Sequence, residues 1–393
     1  MKRTQLAQQL SLLIAKGIPP HLFLIGFDGF IDEIFACVSE RTDRHAFQPI
    51  ETIHDFGTRI LEARGKSTNI ELVLKQKKIG GNGPIVAEGL TQAGFSPILI
   101  GALGLPEIDP IFRPLTQKCK AYVSLANPGH SSALEFQDGK IIFGRQEAIL
   151  EITEETLREK VAKEILIQFF NELDTFVSVN WTMILSQTKI WEYLLTSILP
   201  KISSKKPRTL FVDLADPAKR NNQDLIDAMN MLQKFTPYFS VTLGLNELEA
   251  IRLSKLFEKD RIIKETHLTK DELLHLSHLL LKNLKIQTVI IHATKHACAV
   301  TENEEALVDG PYCEKPVLTT GGGDNFNAGF LTGLALNLSL PNSLLLGVAT
   351  SGYYVRTGKS PTFQELIQFL RSCDKNPLGS VVQFDGAPIE RLS

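Results

Sequence analysis

Short apolar runs rich in branched side chains recur along the chain, each followed by a longer stretch with apolar residues at helical spacing. That alternation is the pattern of βαβ units, which build a parallel sheet, so the class expected is α/β. Strands are predicted at 22–27, 97–101, 175–179, 209–213, 239–243 and 288–292. Most of these runs are apolar throughout, as in strands covered on both faces. Helical spacing predicts helices over 83–93, 184–198, 222–233, 246–257, 270–284, 325–336, 343–356 and 363–371. Two stretches, 31–78 and 122–145, break the rhythm because they are polar or alternating. The second carries a hairpin signal, Asp138-Gly139, between 133–136 and 140–143. These stretches are expected to pair as a small second sheet. Near the N-terminus, Leu10, Leu12, Leu13 and Ile14 follow Lys2 and Arg3, but glutamines interrupt them. An amphipathic helix fits better than a secretory signal.

Composition narrows the picture by exclusion. A length of 393 residues suggests two or three units at about 150 residues each, although a single α/β domain can run larger. Lys plus Arg number 42 against 44 Asp plus Glu, which leaves no electrostatic case for nucleic acid or an anionic membrane as partner. No run reaches the about 18 continuous apolar residues of a membrane-spanning helix. The five cysteines are odd in number and include no CxxC pair, which argues against a disulfide framework or a zinc site and for the reducing cytoplasm. The sequons at Asn180 and Asn337 carry little weight in that setting.

The segment richest in chemistry is Thr319-Thr320-Gly321-Gly322-Gly323-Asp324-Asn325-Phe326-Asn327-Ala328-Gly329, three glycines leading straight into a helix. Glycines let backbone N–H groups converge, and a helix start adds partial positive charge, so the turn can receive an anion. Asp324 just beyond it would sit where a hydroxyl must lose its proton during phosphoryl transfer. By itself the same Asp can equally be a helix cap. A dinucleotide fingerprint is absent: the spacing is not GxGxxG and no strand with an acidic end follows. Two GKS strings, at Gly65 and Gly358, lack the glycine of a Walker loop, because Ile60 and Tyr353 occupy that slot.

Four further segments follow predicted turns or strand ends. Lys78-Ile79-Gly80-Gly81-Asn82-Gly83 joins a glycine turn to a helix, where a polyol could approach the backbone and Asn82 could bond its hydroxyls. Asp28 and Asp32 lie just past the first strand, where ligands of open α/β sheets bind, with Asp32 the better functional candidate. Asn246 and Glu249 stand three apart at a helix start. They could hold the water shell of a nucleotide-bound Mg²⁺ or form a capping box. Asp216 before Pro217 could line a nucleotide pocket or cap a short helix. His292 and His296 are not expected to bind metal, since His292 ends a strand.

Taken in order, Gly80-Gly81-Asn82, the Asn246 and Glu249 pair, and Gly321-Gly322-Gly323-Asp324 resemble the signatures of the PfkB (ribokinase-like) family of carbohydrate and nucleoside kinases, over roughly 22–358. The resemblance implies one three-layer α/β/α domain over 1–393, with a mostly parallel central sheet and a β lid from parts of 31–78 and 122–145. It implies ATP and Mg²⁺ as cofactors, Asp324 as base, and the amides of Gly321, Gly322 and Gly323 as anion hole. Asp28, Asp32, Gly80, Gly81 and Asn82 would face a small sugar or polyol, with Arg145 reaching a phosphate. Asp216, Asn246, Glu249 and Thr294 would lie at the nucleotide, and two copies could pair through the lid. Leu318 stands where many relatives carry an Asp linked to a monovalent cation. Ile85 replaces a frequent Asn, and Thr294 falls in a turn that usually bears glycine. The acceptor stays open among sugar, sugar acid, sugar phosphate and nucleoside, and a catalytically silent binding protein is the alternative from another class.

Overall fold

The structure is a computed structural model that describes residues 3–258 and 268–373. The extension past the last predicted helix therefore lies outside the described residues, as does Lys2. Seven strands run parallel in the central sheet: β1 (Phe23–Gly26), β5 (Ile98–Gly101), β6 (Ala121–Ser124), β9 (Thr175–Val179), β10 (Thr209–Asp213), β11 (Ser240–Asn246) and β12 (Thr288–His292). Two antiparallel strands, β13 (His296–Thr301) and β14 (Glu305–Asp309), extend one edge. The order β14-β13-β12-β11-β10-β9-β1-β5-β6 puts β1 between β9 and β5, so successive connections leave it in opposite directions. Such a reversal opens a crevice at the carboxyl ends of the strands.

Alternate side chains of each strand feed two separate cores. Leu210 and Val212 join the core under α5 (Glu154–Lys160), α6 (Lys163–Glu172), α7 (Gln187–Tyr193), α8 (Asn222–Gln233), α9 (Glu247–Ser254) and α10 (Lys270–Leu284). Phe211 joins the other, under α1 (Arg3–Ala15), α3 (Asn82–Gln92), α4 (Arg113–Thr116), α11 (Gly322–Ala335), α12 (Leu340–Thr357) and α13 (Phe363–Cys373). This is the three-layer α/β/α arrangement. The strands are apolar throughout because both faces are buried. Helix α10 starts in a capping box of Thr269 and Glu272, and α12 ends at Gly358 in the left-handed conformation. In α1 the buried stripe is Leu6, Ala7 and Leu10, packed against α13, while Leu12 faces solvent.

The smaller sheet pairs β2 (Phe30–Arg41) with β4 (Leu72–Gly80), β7 (Gly129–Phe136) and β3 (Phe47–Pro49), and β7 with β8 (Gly139–Arg145). Helix α2 (Ile53–Glu62) covers part of one face through Phe56, which packs with Cys37 and Leu134. The stretch 122–145 is not all in this sheet, because Ala121–Ser124 pairs with β5 at the edge of the central sheet. The hairpin closes one residue earlier than its Asp-Gly signal, with Phe136 opposite Gly139. Asp138 instead accepts the Ile53 N–H at 2.8 Å and ties the hairpin to the start of α2. The helix expected over 184–198 begins at Gln187 and passes into a wider π turn at Leu194–Ile198. All five cysteines are free, and no helix among the described residues is long and apolar enough to cross a membrane.

Candidate active site

Five strands of the central sheet deliver polar residues to one crevice from their carboxyl ends: Asp28 beyond β1, Asn180 beyond β9, Asp213 ending β10, Asn246 ending β11 and His292 ending β12. Helices α3 and α11 point their N-termini at the same place. They pack closely because Gly89 has no side chain, since a Cβ there would stand 2.6 Å from that of Ala328. The approach lets Asn82 Nδ2 donate to Asp324 Oδ1 at 2.7 Å across 242 residues of sequence. Asp324 is buried, and burial with the nearby Asp213 and Asp28 carboxylates pushes its pKa up to about 8, against the opposing effects of Asn82 and Lys78.

The two helix starts differ in how their first amides are used. Neither has a capping side chain of its own. At α3, Asp28 supplies the cap from a distance: Oδ2 accepts the Asn82 N–H at 2.8 Å and Oδ1 the Gly83 N–H at 2.7 Å. Asn180 Nδ2 donates to the same Oδ2 at 2.7 Å, so Asp28 is fully enclosed and its oxygens serve the scaffold. The expectation that Asp28 touches substrate is therefore corrected. Its pKa is raised to about 6 by burial, which its three donors oppose. Asp28→Asn forces an amide against these donors and is expected to lower stability by about 2 kcal/mol, read as a lower midpoint in urea unfolding.

At α11 no such cap intervenes. The Gly322 N–H donates to the Thr319 carbonyl at 3.1 Å and is occupied, a correction to the three-glycine hole. Those of Gly321, Gly323 and Asp324 have no protein partner among the described residues. Asn325 Nδ2 closes the turn onto the Gly321 carbonyl at 2.9 Å, and Asn327 Nδ2 anchors the helix to Asp213 at 2.7 Å.

The glycines before α3 make room for carboxylates. A Cβ at Gly80 would lie 2.2 Å from Asp32 Oδ1, and one at Gly81, whose φ is +87°, 2.9 Å from Asp28 Oδ2. Asp32 sits on the lid's inner face. Burial raises its pKa, opposed first by Lys78, then by a Ser131 hydrogen bond and by Lys140. Arg145 lies elsewhere: it pairs at 3.7 Å with Glu33, which points to the opposite face of β2 from Asp32, and is largely exposed. It does not reach the crevice, so the phosphate contact expected of Arg145 is corrected.

Asn246 and Glu249 form the capping box in full. Asn246 Oδ1 accepts the Glu249 N–H at 2.9 Å, and Glu249 accepts the Asn246 N–H at 2.8 Å and Nδ2 at 2.7 Å. Burial and then Asp213 hold the Glu249 pKa well above the usual carboxylate range, with Asp216 and Asp324 adding to the effect. Asp216 makes no side-chain cap; its exposed carboxylate stands 3.7 Å from Lys219, beside a shallow cavity shared with Asn246 and Glu249. No three Asp, Glu, His or Cys side chains among the described residues converge on a metal position.

A cleft of about 400 Å³ lies between β11, β12 and α12, lined by Asn246, Thr294, Cys313, Gly322, Gly323 and Phe326. His292 stacks on Phe326 with ring centroids 4.7 Å apart, and burial lowers its pKa to about 4. His296 is turned away onto Asp309 at 2.7 Å, so the two histidines share no site. Leu318 is buried against Ile34, Ala133 and Tyr354, an apolar setting that gives a carboxylate no place there. Lys78, Lys140, Asn180 and Tyr354 are site residues that local pattern does not mark, as their partners lie far away in sequence. Asn180 has one signal only in the fold, a φ of +58°.

Residues 8–373 match the family profile described as prokaryotic ketohexokinase. A ketohexokinase from Haloferax volcanii is 28% identical over 353 residues, covering 88% of this chain and 90% of that one. Among solved structures, a ribokinase from Thermotoga maritima superposes with a TM-score of 0.56 at 16% identity, over 89% of this chain and 99% of that one. Arabidopsis thaliana ribokinase, solved with ribose and ATP, gives 0.56 at 15% identity over 90% and 99%. A nucleoside kinase from Methanocaldococcus jannaschii gives 0.54 at 14% over 91% and 100%. These superpositions show a shared fold.

Proposed function

Because this chain belongs to the prokaryotic ketohexokinase family and is a carbohydrate kinase of ribokinase-like fold, we propose that it transfers the γ-phosphoryl group of ATP to a hydroxyl of a ketohexose, with Asp324 as general base. The observation that carries the reading is the buried Asp324 carboxyl, bonded by Asn82 at 2.7 Å and set beside α11 amides that have no protein partner among the described residues.

In this reading the sugar lies under the lid, with Asp32 accepting from its hydroxyls and Asn82 positioned between it and Asp324. The nucleotide occupies the cleft lined by Thr294 and Phe326, beside Asn246 and Glu249, with Asp216 on the flank. Asp324, once ionised, takes the proton of the attacking hydroxyl; the new O–P bond forms as the bond from the γ-phosphorus to ADP breaks. The amides of Gly321, Gly323 and Asp324 receive the charge on the transferring group. Asn246 and Glu249 would hold a Mg²⁺ through water, and that ion would supply charge neutralisation at the phosphates. Two copies would pair through the lid, where Leu72, Leu74, Ile142 and Phe143 are exposed.

An ADP-release assay with Mg²⁺-ATP against ketohexoses, aldohexoses, pentoses, sugar acids, sugar phosphates and nucleosides tests the acceptor. The expected result is a kcat/KM for a ketohexose at least about tenfold above every other class, since specificity rests on hydroxyls matched to buried polar groups. A nucleoside as best acceptor would overturn the assignment, and ligand binding with no ADP release from any class would point to a silent binding protein.

A further inference from the structure

The Thr319–Gly321 turn is poorly able to hold its own shape. Gly321 adopts a φ of +92° and two more glycines follow it, so the local sequence leaves the backbone many alternatives. Beside the local bonds of Gly322 to Thr319 and Asn325 to Gly321, three side chains from elsewhere in the chain hold the turn. The Tyr354 hydroxyl, from α12, donates to the Thr320 carbonyl at 2.7 Å and lies where a Cβ on Gly321 would come within 2.8 Å of it. Lys78, from β4 of the lid, donates to that hydroxyl at 2.6 Å and to the same Thr320 carbonyl at 3.3 Å. From β8, Lys140 donates to the hydroxyls of Thr319 and Thr320 at 3.0 and 2.6 Å.

We infer that Lys78 is a positioning residue for phosphoryl transfer, its ammonium locking the Tyr354 hydroxyl onto the Thr320 carbonyl so that the turn presents the α11 amides and Asp324 in reactive geometry. The inference rests on the reading of Asp324 as base. The charges around Lys78 suit a fixed cation. Burial lowers its pKa, and Asp32 from β2, Glu88 from α3, Asp324 from α11 and Glu135 from β7 oppose that by favouring its charged form. Lys140 from β8 is its like-charged neighbour. Asp324 in turn is faced by Asp28 and Asp213 from the strand ends, Asn82 from α3, Glu249 from α9 and Tyr354 from α12, with Lys78 the cation that opposes the carboxylates. Removing that cation therefore both loosens the turn and makes the base harder to ionise.

Lys78→Met is expected to lower kcat by about tenfold to a hundredfold, the cost of a small misplacement of reacting groups, while KM for the sugar changes by less than about threefold. Its kcat should also need a higher pH than the parent's. In Lys78→Ala, n-propylammonium is expected to restore part of kcat. A second cavity of about 420 Å³, lined by Gln76, Lys78, Glu88 and Tyr354, gives it access. Tyr354→Phe removes the closer partner and guards against misfolding as the cause. It should lower kcat in the same direction with a thermal midpoint near the parent's. Parental kcat in Lys78→Met overturns the inference, as does a loss confined to sugar KM, which would make Lys78 a sugar ligand. So does a kcat loss without amine rescue alongside a silent Tyr354→Phe. Asp324→Asn run in parallel separates the two claims: if it retains turnover, the reading of the base fails whatever Lys78 does.

Discussion

Asp324→Asn is expected to lower kcat by roughly 10² to 10⁴ while leaving nucleotide affinity near that of the parent, and to make the protein more stable above neutral pH. The first effect follows from removing the acceptor of the hydroxyl proton. The amide keeps the shape of the carboxyl and can still accept from Asn82 Nδ2. The second follows from the sign of linkage. The Asp324 carboxyl has a folded-state pKa of about 8, against an ordinary value of 3.8. Between those two values the folded chain retains a proton that the unfolded chain has released, so stability falls as pH rises, by up to about 1.4 kcal/mol per pH unit. Asn carries no such penalty.

Thermal midpoints of parent and variant should therefore nearly coincide at pH 4 and diverge towards pH 8, with the variant higher. The parent's kcat/KM should rise with pH along a limb near 8, and the residual activity of the variant should lack that limb. Asp28, Asp213 and Glu249 also have raised pKa values and add to the slope of both proteins, Glu249 less in the variant because the Asp324 charge that helps raise it is gone, so the difference between the two curves reports Asp324 together with that coupling. A variant with near-parental kcat would remove Asp324 from the chemistry. Equal midpoints at every pH would show that the site is wetter than its burial implies.

Much of this arrangement was legible in the sequence because it is carried by local rules. The strands at 175–179, 209–213 and 288–292 and the helices at 222–233 and 270–284 coincide with the observed elements, since apolar runs and capping residues act within a few positions of each other. Thr269 with Glu272 and Asn246 with Glu249 are such signals, and the second illustrates their limit. A capping box and a hydrated-cation site require the same two residues at the same spacing, and the structure shows that the box forms. The added edge strands β13 and β14 were missed because they are antiparallel, without the βα rhythm that marks the others.

Site residues divide along the same line. Gly80, Gly81, Asn82 and Asp324 stand in contiguous motifs. Asp28 also stood out, but its role depends on Asn180, 152 residues away, and that partner makes it part of the scaffold. Arg145 was misplaced because strand parity decides which face of the lid it occupies, and the parity is fixed by its register with β7 rather than by its neighbours in sequence. Lys78 and Lys140 are ordinary charges on lid strands until β4 and β8 bring them over the Thr319–Thr320 pair.

Gly321→Ala is expected to lower kcat by about a hundredfold, the range seen when a preorganised amide is lost from a transition state's charge. Two costs coincide at this position. An alanine must adopt a φ of +92°, and its Cβ would lie 2.8 Å from the Tyr354 hydroxyl and 3.3 Å from Ile85 Cδ1. The first is a stability cost of about 1 kcal/mol that any left-handed position would incur. The second is particular to the site: relief requires either the turn or Tyr354 to move, and Tyr354 is tied to Lys78 and to the Thr320 carbonyl. Gly358→Ala separates the two. Gly358 has a φ of +71° with nothing within 4 Å of a Cβ, so its substitution should lower the unfolding midpoint comparably and leave kcat at the parental value. A kcat for Gly321→Ala equal to that of Gly358→Ala would show that the turn tolerates displacement, and that its amides are not what stabilises the transferring phosphoryl group.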